Sequence, residues 1–329
     1  METLTGAILV FLVSAAFVVL AGIGLARFGD ELAEKTGWGT LWVGTLLVGI
    51  ATSLPEVTVN VSAVWLEDSP GLALGNVFGA DMINVFVLAC VALAFGVQHL
   101  FGDHGRDTEL LILVGLGLVA LALAFGAAGD FKLGPSSLGG FVLAVAYVAG
   151  MRVVYKAGRT DMDLEDIPKP TGGARNAWIG FGISVIVVVF AGRYLAASAD
   201  GIAEASGISA SFIGVLLVSI VTTLPEGSVT VAASLRRSYG IAMGNVYGSC
   251  AFNIAIVAIA DLFHDGPLLR AMEGAHFAAA LAALVLMAMG YGVLKSVQAS
   301  ALPRARLATA AIPVVYVVAL YAVFTLGQR

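Results

Sequence analysis

The sequence predicts an all-α integral membrane protein with ten transmembrane helices, arranged as two inverted-topology repeats of five helices each. Three observations predict this fold: 59% of the 329 residues are hydrophobic, ten apolar segments are long enough to span a bilayer, and a thirteen-residue stretch occurs twice. Only 12% of the residues are charged, against about 25% in soluble domains. So few charges cannot solvate the surface of a globular protein of this size.

A membrane-spanning helix needs about 20 mostly apolar residues. The predicted spans are 5–28, 38–66, 71–98, 108–128, 137–157, 175–198, 207–235, 239–262, 272–295 and 306–327. No basic region precedes the first span, so we interpret it as a retained helix and not as a cleavable signal peptide. The longest connection is the acidic, proline-containing segment 158–174. We interpret it as a solvated linker between a first repeat, 1–157, and a second repeat, 175–329.

Two motifs recur in the two halves. Segments 44–56 and 214–226 are identical at nine of thirteen positions, and segments 75–84 and 244–253 share the pattern Gly-Asn-x-x-Gly followed by a later Asn. Each half contains five predicted spans, which is an odd number. Consecutive homologous halves must therefore enter the membrane from opposite sides. Inverted repeats of this kind are typical of secondary transporters, whose site lies near the midplane at the repeat interface.

The distribution of basic residues predicts the orientation. With the N-terminus outside, 13 of the 17 Lys and Arg residues fall in loops and flanks on the cytoplasmic side. The sequence therefore predicts a multi-pass protein of the cell membrane with both termini extracytoplasmic and the acidic linker in the cytoplasm.

Each repeat places a proline and a glutamate in the middle of an apolar segment: Pro55 with Glu56, and Pro225 with Glu226. Proline lacks an N–H and clashes with the carbonyl one turn earlier, which frees main-chain oxygens. A charged side chain at the bilayer centre costs about 2.5–3.5 kcal/mol or more. So costly an arrangement, present twice, predicts a functional site.

Further oxygen atoms accompany the glutamates. Thr52 and Thr222 precede them by four residues and so share their helical faces. The next helix of each repeat carries a stripe at four-residue spacing: Asn76, Ala80 and Asn84, then Asn245, Ser249 and Asn253. Oxygen-only ligands with two carboxylates suit a hard cation, Ca²⁺ first. The sequence has no His/Cys cluster typical of zinc or copper sites.

The two motifs resemble the α-repeats of the cation/calcium exchanger superfamily, and within it the prokaryotic sodium/calcium exchangers. The resemblance covers the whole chain as ten helices in two inverted halves. It implies a central calcium site made by Glu56 and Glu226 with the carbonyls of Thr52 and Thr222. The implied flanking sodium sites use Ser53, Thr223, Ser249 and backbone oxygens near Gly49 and Ser219. The implied residues in the middle of the site are Asn84 and Asn253.

Two positions depart from the family pattern. The family usually has a hydroxyl where this chain has Ala80, and some relatives carry Asp where it has Asn253. These departures leave the stoichiometry and the coupling ion open between Na⁺ and H⁺, since opposed glutamates share protons through coupled titration. Asp81, whose repeat counterpart is Cys250, is either a direct ligand or a residue at the helix edge or in gating. Cys250, like Cys90, is predicted to be a small packed residue.

The expected function is a secondary active antiporter that exchanges Ca²⁺ for Na⁺ by alternating access, with 5–28 and 175–198 as the sliding helices. The alternative is an H⁺-coupled antiporter of Ca²⁺ or another divalent cation. A cation channel is the rival that the inverted repeats disfavour. Motifs of intramembrane hydrolases are not found, so no enzyme is expected. Ca²⁺ and Na⁺ are the expected transported ions, without an organic cofactor, and the expected partners are lipid and small cations, without nucleic acid or an obligatory protein.

Overall fold

The computed structural model describes residues 4–36, 52–102, 105–159 and 173–328, and these are almost entirely helical. The long helices are α1 (Leu4–Thr36), α2 (Leu54–Trp65), α3 (Pro70–Phe95), α4 (Arg106–Ala128), α5 (Leu138–Arg159), α6 (Arg175–Ser206), α7 (Ala210–Leu235), α8 (Tyr239–Asp261), α9 (Gly274–Gln298) and α10 (Leu302–Gly327). The α7 helix contains a π-helical turn at Gly214–Val218. A one-turn helix (Val97–Leu100), a 3₁₀ turn (Leu268–Ala271) and the hairpin β1 (Lys132–Leu133) and β2 (Ser136–Ser137) complete the described elements.

Within the described ranges, nine helices are long and apolar enough to cross a membrane: α1 and α3 to α10. The predicted second span, 38–66, lies partly outside these ranges, and its described portion, 52–66, is α2 with the two residues before it and Leu66 after it. The prediction of an all-α membrane fold is confirmed, and the ten-helix arrangement fits it. Most of the linker 158–174 falls outside the described residues, so the division into domains stays a prediction.

Two helices run eight residues past their predicted ends. The α1 helix ends at Thr36 where the prediction ends at 28, and α6 ends at Ser206 where the prediction ends at 198. Several of the added residues are Ala, Leu or Glu, which favour helix even where the segment becomes polar. Gly207, with φ +71°, ends α6 in the left-handed conformation that glycine adopts without strain.

The two halves run in opposite directions. At the start of α3, the main-chain oxygen of Gly71 accepts a hydrogen bond from His276 Nε2 (3.0 Å), at the start of α9. Just beyond the other end of α3, the His99 ring stacks on Tyr239 at the start of α8, with ring centroids 6.1 Å apart. The homologous helices α3 and α8 are therefore antiparallel, as the odd number of spans predicts.

The contacts between helices are reciprocal, as two related halves require. The α1 helix packs on α7 as α6 packs on α2, and α4 and α5 pack on α8 as α9 and α10 pack on α3. The repeated glycines mark these contacts: Gly22 of α1 lies against Pro225 of α7, and Gly192 of α6 lies against Thr58 of α2. The long helices α1 and α6 also pack along each other and turn exposed apolar side chains outward. They therefore touch both glutamate-bearing helices from outside the core.

The β-hairpin between α4 and α5 is tied to the end of α8 by Asp261. The side chain of Asp261 accepts hydrogen bonds from the main-chain N–H of Leu268 (2.8 Å) through Oδ1, and from the main-chain N–H of Ser137 (2.5 Å) and Ser136 Oγ (2.7 Å) through Oδ2. Because Asp261 and Ser137 are buried, water does not replace this acceptor readily.

We expect Asp261→Ala to lower the free energy of unfolding by at least about 2 kcal/mol, because it leaves two buried N–H groups without their acceptor. Thermal unfolding of the purified protein in detergent measures the effect. Asp265→Ala is the matched control, since Asp265 is exposed in the same loop. Equal unfolding midpoints for the two variants would contradict the anchoring role.

Candidate functional site

The two glutamates are buried at the centre of the molecule. Glu56 lies in the first turn of α2 and Glu226 lies inside α7, directly after Pro225, and their exposed fractions are 2% and 1%. The two carboxyl groups lie close enough to repel each other. In each side chain Oε2 has no hydrogen-bond partner among the described residues. Each carboxylate thus keeps one oxygen available in a region that excludes water.

Hydroxyl groups of one repeat lie beside the glutamate of the other. Ser53 Oγ donates to Glu226 Oε1 (3.4 Å), and Thr52 lies next to the same carboxyl group. Thr222 lies next to Glu56. Sequence spacing alone pairs each threonine with the glutamate of its own repeat. The crossing of α2 and α7 adds the contact with the opposite repeat, so the two repeats build one site.

The main-chain carbonyl of each glutamate is held by a side chain one turn later. Asn60 Nδ2 donates to Glu56 O (2.7 Å), and Thr230 Oγ1 donates to Glu226 O (2.8 Å). Asn245 of α8 donates through Nδ2 to the same Glu226 oxygen (2.9 Å). Asn60 and Thr230 are absent from the predicted site. Their signal was the polar residue at the same position of both repeats, four residues after each glutamate.

The polar stripes of α3 and α8 also reach the centre. Asn76 Oδ1 accepts from Thr222 Oγ1 (3.2 Å), and Asn253 Nδ2 donates to Asp81 Oδ1 (2.9 Å). Asp81 is fully buried where α3 meets α8, and its Oδ2 lacks a partner within the described part of the chain. The structure therefore places Asp81 in contact with a candidate ligand, in the interior of the fold.

The other predicted residues are buried as well. Ser219 Oγ donates to Val215 O in the π-helical turn, while Thr223 Oγ1 has no partner among the described residues. All candidates within the described ranges have exposed fractions of 5% or less: Glu56, Glu226, Thr52, Thr222, Ser53, Thr223, Asn84, Asn253, Ser249, Ser219 and Asp81. Gly49 lies outside the described residues.

The prediction that both cysteines are packed is right for one of them. Cys250 is fully buried, with its Sγ 3.9 Å from Asp81 O, whereas Cys90 is exposed. Apolar residues occur on every side of α3, so the hydrophobic pattern around Cys90 does not distinguish a face that packs from one that looks outward.

Within the described part of the chain, no ion pair with a basic side chain balances the charge of the two glutamates. In the described ranges the ion pairs are Lys35 with Glu31 and Lys295 with Glu109, and neither involves a residue of the candidate site. Two carboxylates that share a buried position are unfavourable unless something neutralises them. Hydroxyl, amide and carboxylate oxygens around them form a donor set for a hard cation.

Acidic side chains also lie at the face where α2 ends. Partial burial raises the pKa of Glu67, and the nearby charge of Asp200 raises it further. Asp200 recurs in the first repeat as Asp30, whose side chain lies outside the described part of the structure. The nearby charge of Arg193 lowers the pKa of Glu67, so this face carries charges of both signs.

A protein-family model and several known proteins match this chain over most of its length. The model of the family described as sodium/calcium exchanger protein matches residues 6–156 and 176–328. The chain is 28% identical over 308 residues to the putative antiporter CaxA of Alkalimonas amylolytica, covering 86% of this chain and 92% of CaxA. It is 26% identical over 297 residues to the sodium/calcium exchanger MaX1 of Methanosarcina acetivorans, covering 78% of this chain and 83% of MaX1.

Solved structures support the same fold. The sodium-calcium exchanger NCX_Mj superimposes with a TM-score of 0.63 at 23% identity, covering 97% of this chain and 99% of that chain. YfkE superimposes with a TM-score of 0.68 at 18% identity, covering 96% of this chain and 92% of YfkE. Because the family model covers both halves and stops only at the linker, this chain belongs to the sodium/calcium exchanger protein family.

Proposed function

We propose that this chain is a secondary active antiporter that exchanges Ca²⁺ for Na⁺ by alternating access at a site built around Glu56 and Glu226. The observation that carries the proposal is the pair of buried, adjacent carboxylates, one from each inverted repeat, without a basic partner among the described residues. Without a basic partner among these residues, the pair needs a cation or protons to neutralise it. Membership of the exchanger family, and the names of MaX1 and NCX_Mj, support Ca²⁺ and Na⁺ as those ions.

The remaining polar groups complete the proposed coordination. The hydroxyls, amides and main-chain oxygens supply neutral ligands for Ca²⁺ and for Na⁺: Thr52, Thr222, Ser53, Thr223, Asn84, Asn253, Ser249, and oxygens near Gly49 and Ser219. Asp81 supplies a further carboxylate beside Asn253, through its unpartnered Oδ2, but not as part of one cluster with the two glutamates, since no three Asp, Glu, His or Cys side chains of the described residues group as a metal site. Ca²⁺ takes 6–8 such oxygens in flexible geometry, so ligands from both repeats can enclose it.

The same charges explain why the protein would exchange ions and not leak them. If the empty protein changed from one open state to the other, it would pass through an occluded state without water around the two uncompensated carboxylates. That passage would cost several kcal/mol. Ca²⁺ in one direction and Na⁺ in the other remove this cost, so only the loaded carrier turns over.

We infer that α1 and α6 slide past the core, because they contact both glutamate-bearing helices from the periphery. From the basic residues we infer that both termini lie outside the cell.

One observation favours the H⁺-coupled alternative. Ala80 of α3 is fully buried at the position that Ser249 occupies in α8, so the first repeat lacks a side-chain oxygen that a Na⁺ ion would use. Protons on the glutamates would need no such ligand.

Uptake of ⁴⁵Ca²⁺ into proteoliposomes tests the function. We expect uptake when the vesicles are loaded with Na⁺ and diluted into Na⁺-free buffer, and loss of uptake when a Na⁺ ionophore collapses the gradient. Uptake driven by a pH gradient alone would establish H⁺ coupling instead. Ca²⁺ entry at the same rate with neither gradient would identify a channel and overturn the proposal.

A further inference from the structure

The two repeats make different hydrogen bonds from equivalent asparagines. Asn76 begins the second motif of the first repeat, and Asn245 is its counterpart. Asn60 and Thr230 are likewise equivalent, four residues after each glutamate. In sequence the two repeats therefore offer almost the same groups around the main-chain carbonyl of their glutamate.

In the second repeat these groups form what we call the amide clamp, a pair of hydrogen bonds that ties α8 to α7. Asn245 Nδ2 donates to the main-chain oxygen of Glu226 (2.9 Å) and to Thr230 Oγ1 (3.0 Å). The clamp thus fixes α8 to the helical turn that carries Glu226.

The equivalent clamp of the first repeat is open. Asn76 Oδ1 faces the other repeat and accepts from Thr222 Oγ1 (3.2 Å). Its Nδ2 has no partner among the described residues, and neither has Asn60 Oδ1, although both residues are fully buried. Asn76 Nδ2 is a donor and Asn60 Oδ1 is an acceptor. The equivalent side chains of the second repeat, Asn245 and Thr230, form a hydrogen bond with each other. Each unsatisfied buried group destabilises the state that contains it.

We propose that the two amide clamps close alternately, so that Asn76 and Asn245 are positioning residues that set which face of the membrane the site opens to. This inference rests on the proposed antiport. When inverted repeats exchange conformations, the opening passes from one face to the other. In the exchanged state Asn76 donates to Glu56 O and Asn60 Oδ1, while Asn245 releases α7 and turns to Thr52. The unpaired atoms of the first repeat are then satisfied and those of the second repeat are not.

The proposal predicts opposite effects of two equivalent substitutions. Asn245→Ala removes two hydrogen bonds of the state described here and one of the exchanged state, and Asn76→Ala does the reverse. The first therefore favours the exchanged state and the second favours the present one. The ratio of the apparent KM for Ca²⁺ at the two membrane faces should change by about 3- to 10-fold in opposite directions, since one hydrogen bond contributes roughly 0.5–1.5 kcal/mol.

The measurement uses full-length protein in proteoliposomes of defined orientation, with Ca²⁺ varied on one face at a time. In the double variant Asn76→Ala/Asn245→Ala the two biases cancel, so the KM ratio should return toward wild type even if the rate is low. Ser228→Ala is the matched control, because Ser228 is an exposed residue of α7 that bonds only within its helix. Should either asparagine variant fail to fold, Asn60→Val and Thr230→Val report on the same two clamps.

A shift in the same direction for both asparagine variants, or no shift in either, would overturn alternate closure. This failure is distinct from failure of the proposed function. Wild-type protein that exchanges Ca²⁺ while the KM ratios stay fixed refutes the clamps alone, whereas wild-type protein that transports no Ca²⁺ refutes the antiport.

Discussion

Replacing Glu56 or Glu226 with glutamine should reduce Ca²⁺ flux in proteoliposomes by at least about 100-fold. Each substitution removes one of the two buried negative charges while keeping the size of the side chain. Loss of about 3 kcal/mol of interaction with a divalent ion corresponds to this factor. Uptake of ⁴⁵Ca²⁺ measures the flux, with Glu204→Gln, an exposed position near the end of α6, as the control.

A second measurement separates ion binding from folding. Because the two carboxylates repel each other, each glutamine variant should unfold at a temperature no lower than that of the ion-free wild type. Ca²⁺ should raise the unfolding temperature of the wild type and leave that of the variants unchanged, since a ligand stabilises only a protein that binds it. Full exchange by both variants would show that the transported ions do not depend on these glutamates.

Gly79→Ala should lower the free energy of unfolding by about 1–3 kcal/mol and reduce transport with it. A methyl group at Gly79 would lie 2.5 Å from the carbonyl oxygen of Val215 and 2.8 Å from Ser219 Oγ, on the π-helical turn of α7. These are mainly backbone contacts, so relief requires α3 and α7 to move apart. The helix preference for Ala over Gly, about 1 kcal/mol, is too small to offset this.

Gly117→Ala is the matched substitution. Gly117 lies in the exposed part of α4, and a methyl group there meets no atom within 4 Å among the described residues. It should leave the unfolding temperature unchanged or raise it slightly, because only the helix preference remains. If Gly79→Ala matched Gly117→Ala in thermal unfolding, the close contact between α3 and α7 would not be required for stability.

The two candidate glutamates could be identified from the sequence because their signal is local and occurs twice. A Pro-Glu pair in an apolar segment is costly wherever it occurs, and its recurrence in the same context favours a shared role over chance. Asn60 and Thr230 carried a weaker signal, because a neutral polar residue inside an apolar helix costs less than a charge and the two residues differ in type. The exposure of Cys90 carried none, because apolar residues on every side of α3 do not reveal which of them pack.

The sequence by itself determined the membrane class, the pairing of the two repeats and their opposite directions, because hydrophobic length and an odd number of spans follow from the order of residues alone. Only the tertiary structure decided which groups meet. Ser53 contacts the glutamate of the other repeat, and Asn76 and Asn245, which occupy equivalent positions of the two repeats, take different partners. Hydrogen-bond partners depend on how the helices cross. Within one conformation of the protein, the helices of two equivalent repeats can cross their neighbours differently. Sequence symmetry cannot specify that asymmetry.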